Sequence, residues 1–423
     1  MDTIFALSSG RPPAAISVVR ISGPGAHGAA KAIAGSLPTA RAAAVRELRH
    51  PATGELLDQV LVLRFDSPAS STGEDVVEFQ CHGGRAVVDA VLSALAEIEG
   101  LRLAQPGEFT RRAFDNGRID LTEAEGLADL IEAETDSQRK AALALAEGGL
   151  RNQIDLWQEQ LLTISAQAER AIDYDEDHSP DPELARDCAT LEVELREWLA
   201  RPRVERLKDG VRVVVAGPPN VGKSSLLNAL TGDERAIVTD IPGTTRDHIE
   251  VPLALGGVPV VLTDTAGLRE AEDRVEAIGV ARSAALVEAA DVLVWLGQPA
   301  QAPLHPRTIR VHAKVDLVDR GRAPDDSLAV SAVTGEGLGA LLERIAEMAI
   351  TLLPTEGAIA LNRRQAQHIT EVADALGDSA RSEDLVLVAE NLRVARMAFD
   401  RLTGRAGLED VLDALFSRFC LGK

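Results

Sequence analysis

Eight residues, Gly217-Pro218-Pro219-Asn220-Val221-Gly222-Lys223-Ser224, fit the pattern G-x-x-x-x-G-K-[ST]. Glycines at these positions let backbone N–H groups wrap phosphate oxygens. The lysine ammonium neutralises the outer phosphates, and the serine hydroxyl is placed to bind Mg²⁺. The context agrees: VRVVVA (211–216) reads as a buried strand entering the loop, and KSSLLNAL (223–230) as a helix leaving it. A ligand-free strand-to-helix turn is the bland alternative, and the flanking patterns favour a phosphate cradle.

Two further stretches stand at suitable distances. Asp264-Thr265-Ala266-Gly267 closes the strand-like run Val258–Thr263. Asp264 is placed to hold Mg²⁺ through water, and the Gly267 amide to sense a γ-phosphate. Thr239-Asp240-Ile241-Pro242-Gly243-Thr244-Thr245-Arg246-Asp247 lies where a first switch loop belongs, with Thr245 a candidate for closing the Mg²⁺ shell. Read blandly, it is a polar surface turn.

Base choice rests on Ala313-Lys314-Val315-Asp316, where a guanine site normally has Asn-Lys-x-Asp. Asp316 can accept from the guanine edge and Lys314 can cover the ring, but the Asn contacts are gone. A lost hydrogen bond costs about 1 kcal/mol, so weaker binding with retained guanine preference is expected. Ser331-Ala332 supply the last base-side loop, and Ser225 extends the phosphate-binding set. The expected activity is GTP hydrolysis, yet Leu268 stands where many GTPases carry a water-positioning Gln. Arg246 and Arg269 read equally well as charge-supplying fingers and as solvated arginines. The residues alone leave water positioning open.

The elements that must hold these groups fall into regions of different texture. Residues 1–118 carry short strand-like runs such as Ala15–Ile21 and Val60–Phe65 around one helix-like stretch, Ala86–Ile98. This is an α+β texture. From Asp120 the pattern turns helical. Asp120 and Glu123 have capping-box spacing, with Thr122 and Glu125 as a second register. Helical periodicity runs to about Ala200, broken at Asp173–Glu183. From Val211, strand-like runs (also Asp291–Leu296 and Thr308–His312) alternate with helical patterns, which predicts a mostly parallel, doubly wound sheet. Helical texture returns after Pro354, through Ile369–Leu376, Leu385–Leu402 and Leu408–Phe419.

The whole chain has 423 residues and a formal charge of −22. That length calls for more than one core. The charge repels a polyanion in bulk, so RNA must meet a local basic patch or a partner subunit. Aromatic residues make up 3%, which weighs against stacking platforms for single strands. Cys81, Cys188 and Cys420 show no Cys-x-x-Cys spacing, which fits a reduced cytoplasmic home. No secretory signal and no bilayer-length apolar run is expected.

Several ordered motifs resemble the MnmE (TrmE) family of tRNA-modifying GTPases over nearly the full chain. They are VVRISG (18–23), EDVVEFQCHGG (74–84), QPGEFTRRAFDNGRIDLTEAEGLADLI (105–131), the GTPase set, and CLGK (420–423). The resemblance implies a folate-binding, dimerising domain at 1–118. It implies a helical domain from 119–205 with 355–423, and a GTPase domain at 206–354 inserted between its halves. A K⁺ ion held by Asn220, Thr239, Ile241 and Thr244 would replace an arginine finger, offsetting charge between the phosphates. Glu276 would orient the water, a residue that otherwise reads as a solvated helix carboxylate. Formyl- or methylene-tetrahydrofolate would meet Arg20, Glu78, Arg118 and Lys423, and Cys420 would be a tail thiol of possible reactivity. Many family members have Lys at the position of Arg118. The charge is kept there, but the donor geometry differs.

The function so implied is addition of an aminomethyl or carboxymethylaminomethyl group to carbon 5 of the wobble uridine of certain tRNAs. A homodimer would act with a flavin- and NADH-dependent MnmG-type partner in a heterotetramer or larger complex. A rival reading is a ribosome-assembly or RNA-binding GTPase switch, which should carry a basic RNA-binding appendage and does not predict VVRISG or CLGK. A folate-dependent aminomethyltransferase without GTPase activity is opposed by the phosphate loop. The basic run Arg201–Arg212 remains a candidate RNA contact.

Overall fold

Period-two alternation in the N-terminal region builds a sheet with two unlike faces. Its strands are β1 (Thr3–Leu7), β2 (Ile16–Ser22), β3 (Ala43–Arg49), β4 (Leu56–Phe65), β5 (Val76–His82) and β6 (Leu101–Leu103), in the order β3-β4-β5-β2-β1-β6. Neighbours are antiparallel except β1 and β6, which are parallel. Phe5, Val19, Ile21, Val77 and Phe79 form a core with the buried sides of helices Ala26–Ala34 and Arg85–Ala96. Ile4, Ala6, Ala104 and Phe109 form a second small cluster. Alternation puts Arg20 and Glu78 on the face away from the main core.

The computed structural model describes residues 2–174, 182–233, 236–238, 250–264, 284–355, 359–406, 409–419 and Gly422. Two compact units emerge, 1–128 with 400–423, and 129–399. In the first, the buried Arg112 guanidinium donates to both Glu74 carboxylate oxygens at 3.1 Å and to Asp2 Oδ1 at 2.7 Å. Ser22 Oγ also donates to Glu74 Oε2, at 2.7 Å. A buried carboxylate needs such partners, because stranding it costs several kcal/mol. The network thereby pins strand, loop and helix together. Burial pushes the Glu108 carboxyl up, but hydrogen bonds from Arg102, the Gln105 amide and Arg112 prevail and hold it below its ordinary range.

Helix Leu121–Glu132 begins as the spacing predicts. Asp120 N donates to Glu123 Oε2 at 2.7 Å, and Glu123 N donates to Asp120 Oδ1 at 2.8 Å. Thr122 Oγ1 donates to Asp120 Oδ1 at 2.8 Å within the same first turn. In the second unit, helix Pro182–Leu199 buries Leu184, Cys188, Leu191, Leu195 and Trp198 at helical spacing. Trp157, from helix Gly149–Tyr174, meets Trp198 edge-on at 5.2 Å and stacks on Phe399 at 6.2 Å. Its Nε1 donates to Glu194 Oε1 at 2.8 Å, so the buried indole N–H is satisfied.

The same unit holds β7 (Val211–Ala216), β8 (Ala236–Val238), β9 (Glu250–Leu255), β10 (Val258–Asp264), β11 (Val292–Trp295), β12 (Thr308–Ala313) and β13 (Leu328–Val330). Their order is β13-β12-β11-β7-β10-β9-β8. β10, β7, β11, β12 and β13 run parallel, while β9 is antiparallel to both β10 and β8. The mostly parallel α/β architecture agrees with the strand-like runs read from sequence. One detail departs from the expected alternation. Between β11 and β13 the described chain has two short 3₁₀ turns, Pro299–Gln301 and Val318–Arg320, instead of helices. Pro, Gly and Asp are frequent there, and none of them supports a helix interior. Among the described residues, no helix is long and apolar enough to cross a membrane.

Candidate functional site

Strand β7 is where the order of the second sheet turns outward in both directions, since β10 and β11 flank it. In open α/β sheets, ligands enter the crevice at strand C-terminal ends at such a switch point. Ala216 hands the chain to Gly217 at φ 156°, and the loop passes Asn220 at φ 61° and Gly222 at φ 105°. Gly222 is constrained twice: its φ is left-handed, and a Cβ there would approach Lys314 Cε to 3.3 Å. It is also the N-cap of helix Lys223–Thr231, with no side chain to occupy the first-turn amides. Those amides and the helix dipole favour an anion at this end.

Lys223 is buried, and its Nζ donates to Gly217 O at 3.0 Å and Pro218 O at 2.9 Å, strapping the loop. Ser224 Oγ donates to Asp264 Oδ2 at 2.6 Å. Asp264 is 1% exposed at the end of β10 and pairs in register with Val215 of β7. The hydroxyl and carboxylate sequence reasoning chose for Mg²⁺ are therefore neighbours, and both are hard oxygen donors suited to that ion.

The base-side residues gather at the ends of β12 and β13. Lys314, at φ 66°, donates from Nζ to Asn220 O at 2.8 Å and so bridges to the phosphate loop. Ser331 is fully buried and donates to Asp316 Oδ1 at 2.6 Å. Its oxygen accepts from Val333 N and Thr334 N at 3.2 and 3.1 Å. Asp316 is thus held by one carboxylate oxygen, with Ala332 half-buried beside it. Sequence reasoning missed Arg320, whose Nε donates to Ala313 O at 2.8 Å. No spacing rule pointed to it. Ala313 is 5% exposed and belongs to the apolar core around the sheet. Ala313→Asn is expected to tighten GDP binding about five-fold, from one added hydrogen bond near 1 kcal/mol. Titration calorimetry would show it, and an unchanged affinity would mean Ala313's surroundings already supply that contact.

Val221 is half-buried against the main core, and Ser225 is exposed on the helix after the loop. Thr239, Asp240, Ile241, Pro242, Gly243, Thr244 and Thr245 lie outside the described residues, as do Thr265, Ala266, Gly267 and Glu276. So do Arg246, Leu268, Arg269, Cys420 and Lys423.

In the first unit, Arg20 and Glu78 face each other in register across β2 and β5, and Arg20 Nε donates to Glu78 Oε1 at 2.8 Å. The Arg20 guanidinium also lies 5.5 Å from the centre of the Phe109 ring. Arg118 is exposed beyond the helix Glu108–Asp115, with its stem against Gly73. No hydrogen bond or ion pair among the described residues joins it to the Arg20–Glu78 pair. Gly422 is seated against the end of β1: at φ 92°, a Cβ on it would fall 1.9 Å from Leu7 O. Ala6, the neighbour of Leu7, pairs with Arg20, so this part of the tail docks at the end of the strand that pairs with the one bearing that arginine. The Cys81 and Cys188 thiols are buried, and burial pushes them up to about 12 and about 11, which removes both as nucleophiles.

Residues 3–118 match the family description GTP-binding protein TrmE N-terminus, and residues 121–420 match the MnmE helical domain. The tRNA modification GTPase MnmE of Erythrobacter litoralis is 52% identical over 427 residues, spanning 100% of both chains. That of Novosphingobium aromaticivorans is 50% identical over 435 residues, again spanning 100% of both. That of Rhizorhabdus wittichii is 52% identical over 428 residues, spanning 100% of this chain and 97% of its own.

Proposed function

This chain belongs to the MnmE family of tRNA modification GTPases, and on that premise we propose that it hydrolyses GTP to drive modification of carbon 5 of the wobble uridine of certain tRNAs. The carrying observation is the Ser224–Asp264 hydrogen bond of 2.6 Å beside the Lys223-strapped loop, at the switch point of the sheet. It joins a hydroxyl and a carboxylate next to the loop strapped by the Lys223 ammonium, where the phosphates of a nucleotide would lie. Asp316, oriented by Ser331, accepts from the guanine edge, and Lys314 covers the ring while tying base side to phosphate side.

Mg²⁺ and K⁺, when bound, offset the charge that develops on the phosphates. Ser224 and Thr245 hold the first; Asn220, Thr239, Ile241 and Thr244 hold the second; Glu276 orients the attacking water. The one-carbon tetrahydrofolate is held by Arg20, Glu78 and Arg118 of a separate domain, 1–118, together with Lys423 of the C-terminal tail. An Arg guanidinium suits a glutamate-tail carboxylate, and a carboxylate suits a pterin edge. Residues 119–205 with 355–423 form the helical domain and 206–354 the GTPase domain. The chain works in the cytoplasm as a homodimer with a flavin-dependent MnmG-type partner, and Cys420 sits in the tail whose Gly422 docks beside β1.

The test is nucleoside analysis of tRNA by mass spectrometry from cells with and without the gene. Loss of the C5 substituent from the wobble uridine is expected, and the parent chain restores it. Unaltered nucleosides would favour the GTPase-switch alternative instead.

A further inference from the structure

The basic run after residue 200 does not enter the nucleotide or folate sites, yet it is organised. A cleft of about 520 Å³ in the second unit is lined by Arg203, Glu205, Arg206, Arg363 and Thr370, among others. Three arginines converge there with one carboxylate, in a chain whose net charge is −22.

Two acids of this region, Glu205 and Asp291, each accept hydrogen bonds. Glu205 Oε1 accepts the backbone N–H of Arg363, at the start of helix Arg363–Arg381. Asp291 accepts from Arg206 Nε at 3.1 Å through one oxygen, and from Arg212 N at 3.1 Å through the other. This fixes Arg206 through its Nε, and among the described residues its terminal nitrogens make no hydrogen bond. Arg201, just before, lies 3.8 Å over the Trp198 ring, so its guanidinium is held on the same stretch of surface. Arg203 and Arg363 are exposed, and among the described residues neither guanidinium has an ion-pair partner. The first turn of helix Arg363–Arg381 carries no acid to offset them. Like charges left facing one cleft repel each other unless an anion joins them. Planar guanidiniums match phosphate oxygens in a bidentate fork.

We infer that this cleft is a contact site for the phosphodiester backbone of RNA, with Arg203 and Arg363 as its phosphate-binding side chains and Arg206 as its fixed wall. The inference rests on the tRNA-modification reading above and adds to it the surface that touches the substrate. The overall acidity does not oppose it. At about 0.15 M salt the Debye length is about 8 Å, so distant carboxylates are screened while the cleft acts locally.

The test uses the full chain, a tRNA transcript as probe, and fluorescence anisotropy across a KCl series. Arg203→Gln/Arg363→Gln should weaken binding about tenfold near 100 mM KCl. It should also reduce the slope of log K against log salt by about 1.4 to 1.8, the share of two phosphate contacts. Arg203→Lys/Arg363→Lys should restore most of the slope, because the charge returns. Parent-like affinity and slope in the glutamine variant, or no salt-dependent binding by the parent, would overturn the assignment. GTP hydrolysis and wobble nucleosides, measured on the parent chain, report separately on the tRNA-modification reading. GTP hydrolysis by the glutamine variant should match the parent, which shows that it is folded.

Discussion

Steady-state GTP hydrolysis in NaCl is expected to run about 100-fold slower than in KCl at the same ionic strength. Two features of the chain lead there. Leu268 occupies the position of the usual water-positioning Gln, and an alkyl side chain can neither donate to nor accept from water. In addition, Lys223 straps the loop at Gly217 O, and the loop pattern assigns its charge to the outer phosphates, so further positive charge must come from elsewhere. A monovalent cation beside the phosphate loop can supply it. Asn220 is well placed to help hold one: it lies in the loop itself, its φ of 61° is a conformation Asn tolerates, and Lys314 anchors its carbonyl. Removing one preorganised stabiliser of transition-state charge costs about 10²–10³ in rate. Na⁺ is the smaller ion and prefers shorter oxygen distances, so a cage sized for K⁺ holds it poorly. The loss should appear in kcat, with GDP affinity nearly unchanged, because the extra charge matters most in the transition state. Equal rates in the two salts would remove the K⁺ proposal and leave an arginine, Arg246 or Arg269, as the source of charge.

Sequence legibility followed the range of the interactions. The loop 217–224 was readable because its chemistry is local: glycines, lysine and serine at fixed spacing between a strand and a helix, as the structure has them. The Asp120–Glu123 capping box was readable for the same reason. Strands without strong alternation, such as the three-residue β6, were not readable, because their pairing with β1 is set across the sheet rather than by their own residues. The contact of Arg320 with Ala313 O is not legible in the sequence, because it depends on how the loop after β12 folds back. The Arg20–Glu78 pair shows a third case. Neither residue signals anything alone, and only the register of β2 against β5 brings them to 2.8 Å. Arg118 carried the same family resemblance, yet its position beside Gly73 follows from a loop that no periodicity describes.

Asp264→Asn tests the other half of the nucleotide site, and it is expected to lower kcat by about 10²–10³ with the fold intact. Asp264 is 1% exposed and ends β10 directly beside the strand that feeds the phosphate loop. A carboxylate so buried is kept for what it binds, since burial alone disfavours its charge. The Ser224 hydroxyl donates to it at 2.6 Å, a charge-assisted bond. Asn keeps the volume and can still accept from Ser224, so strand pairing and core packing survive. What it removes is the negative charge that would hold Mg²⁺ through water. The signature is therefore specific: hydrolysis falls and the Mg²⁺ concentration needed for half-maximal rate rises, while nucleotide affinity in EDTA and the thermal midpoint stay at parent values. A purely structural role would move the thermal midpoint first and leave the Mg²⁺ dependence alone. Ser224→Ala should show the same Mg²⁺ shift, and the double variant should cost less than the sum of the two, because both groups act on one ion.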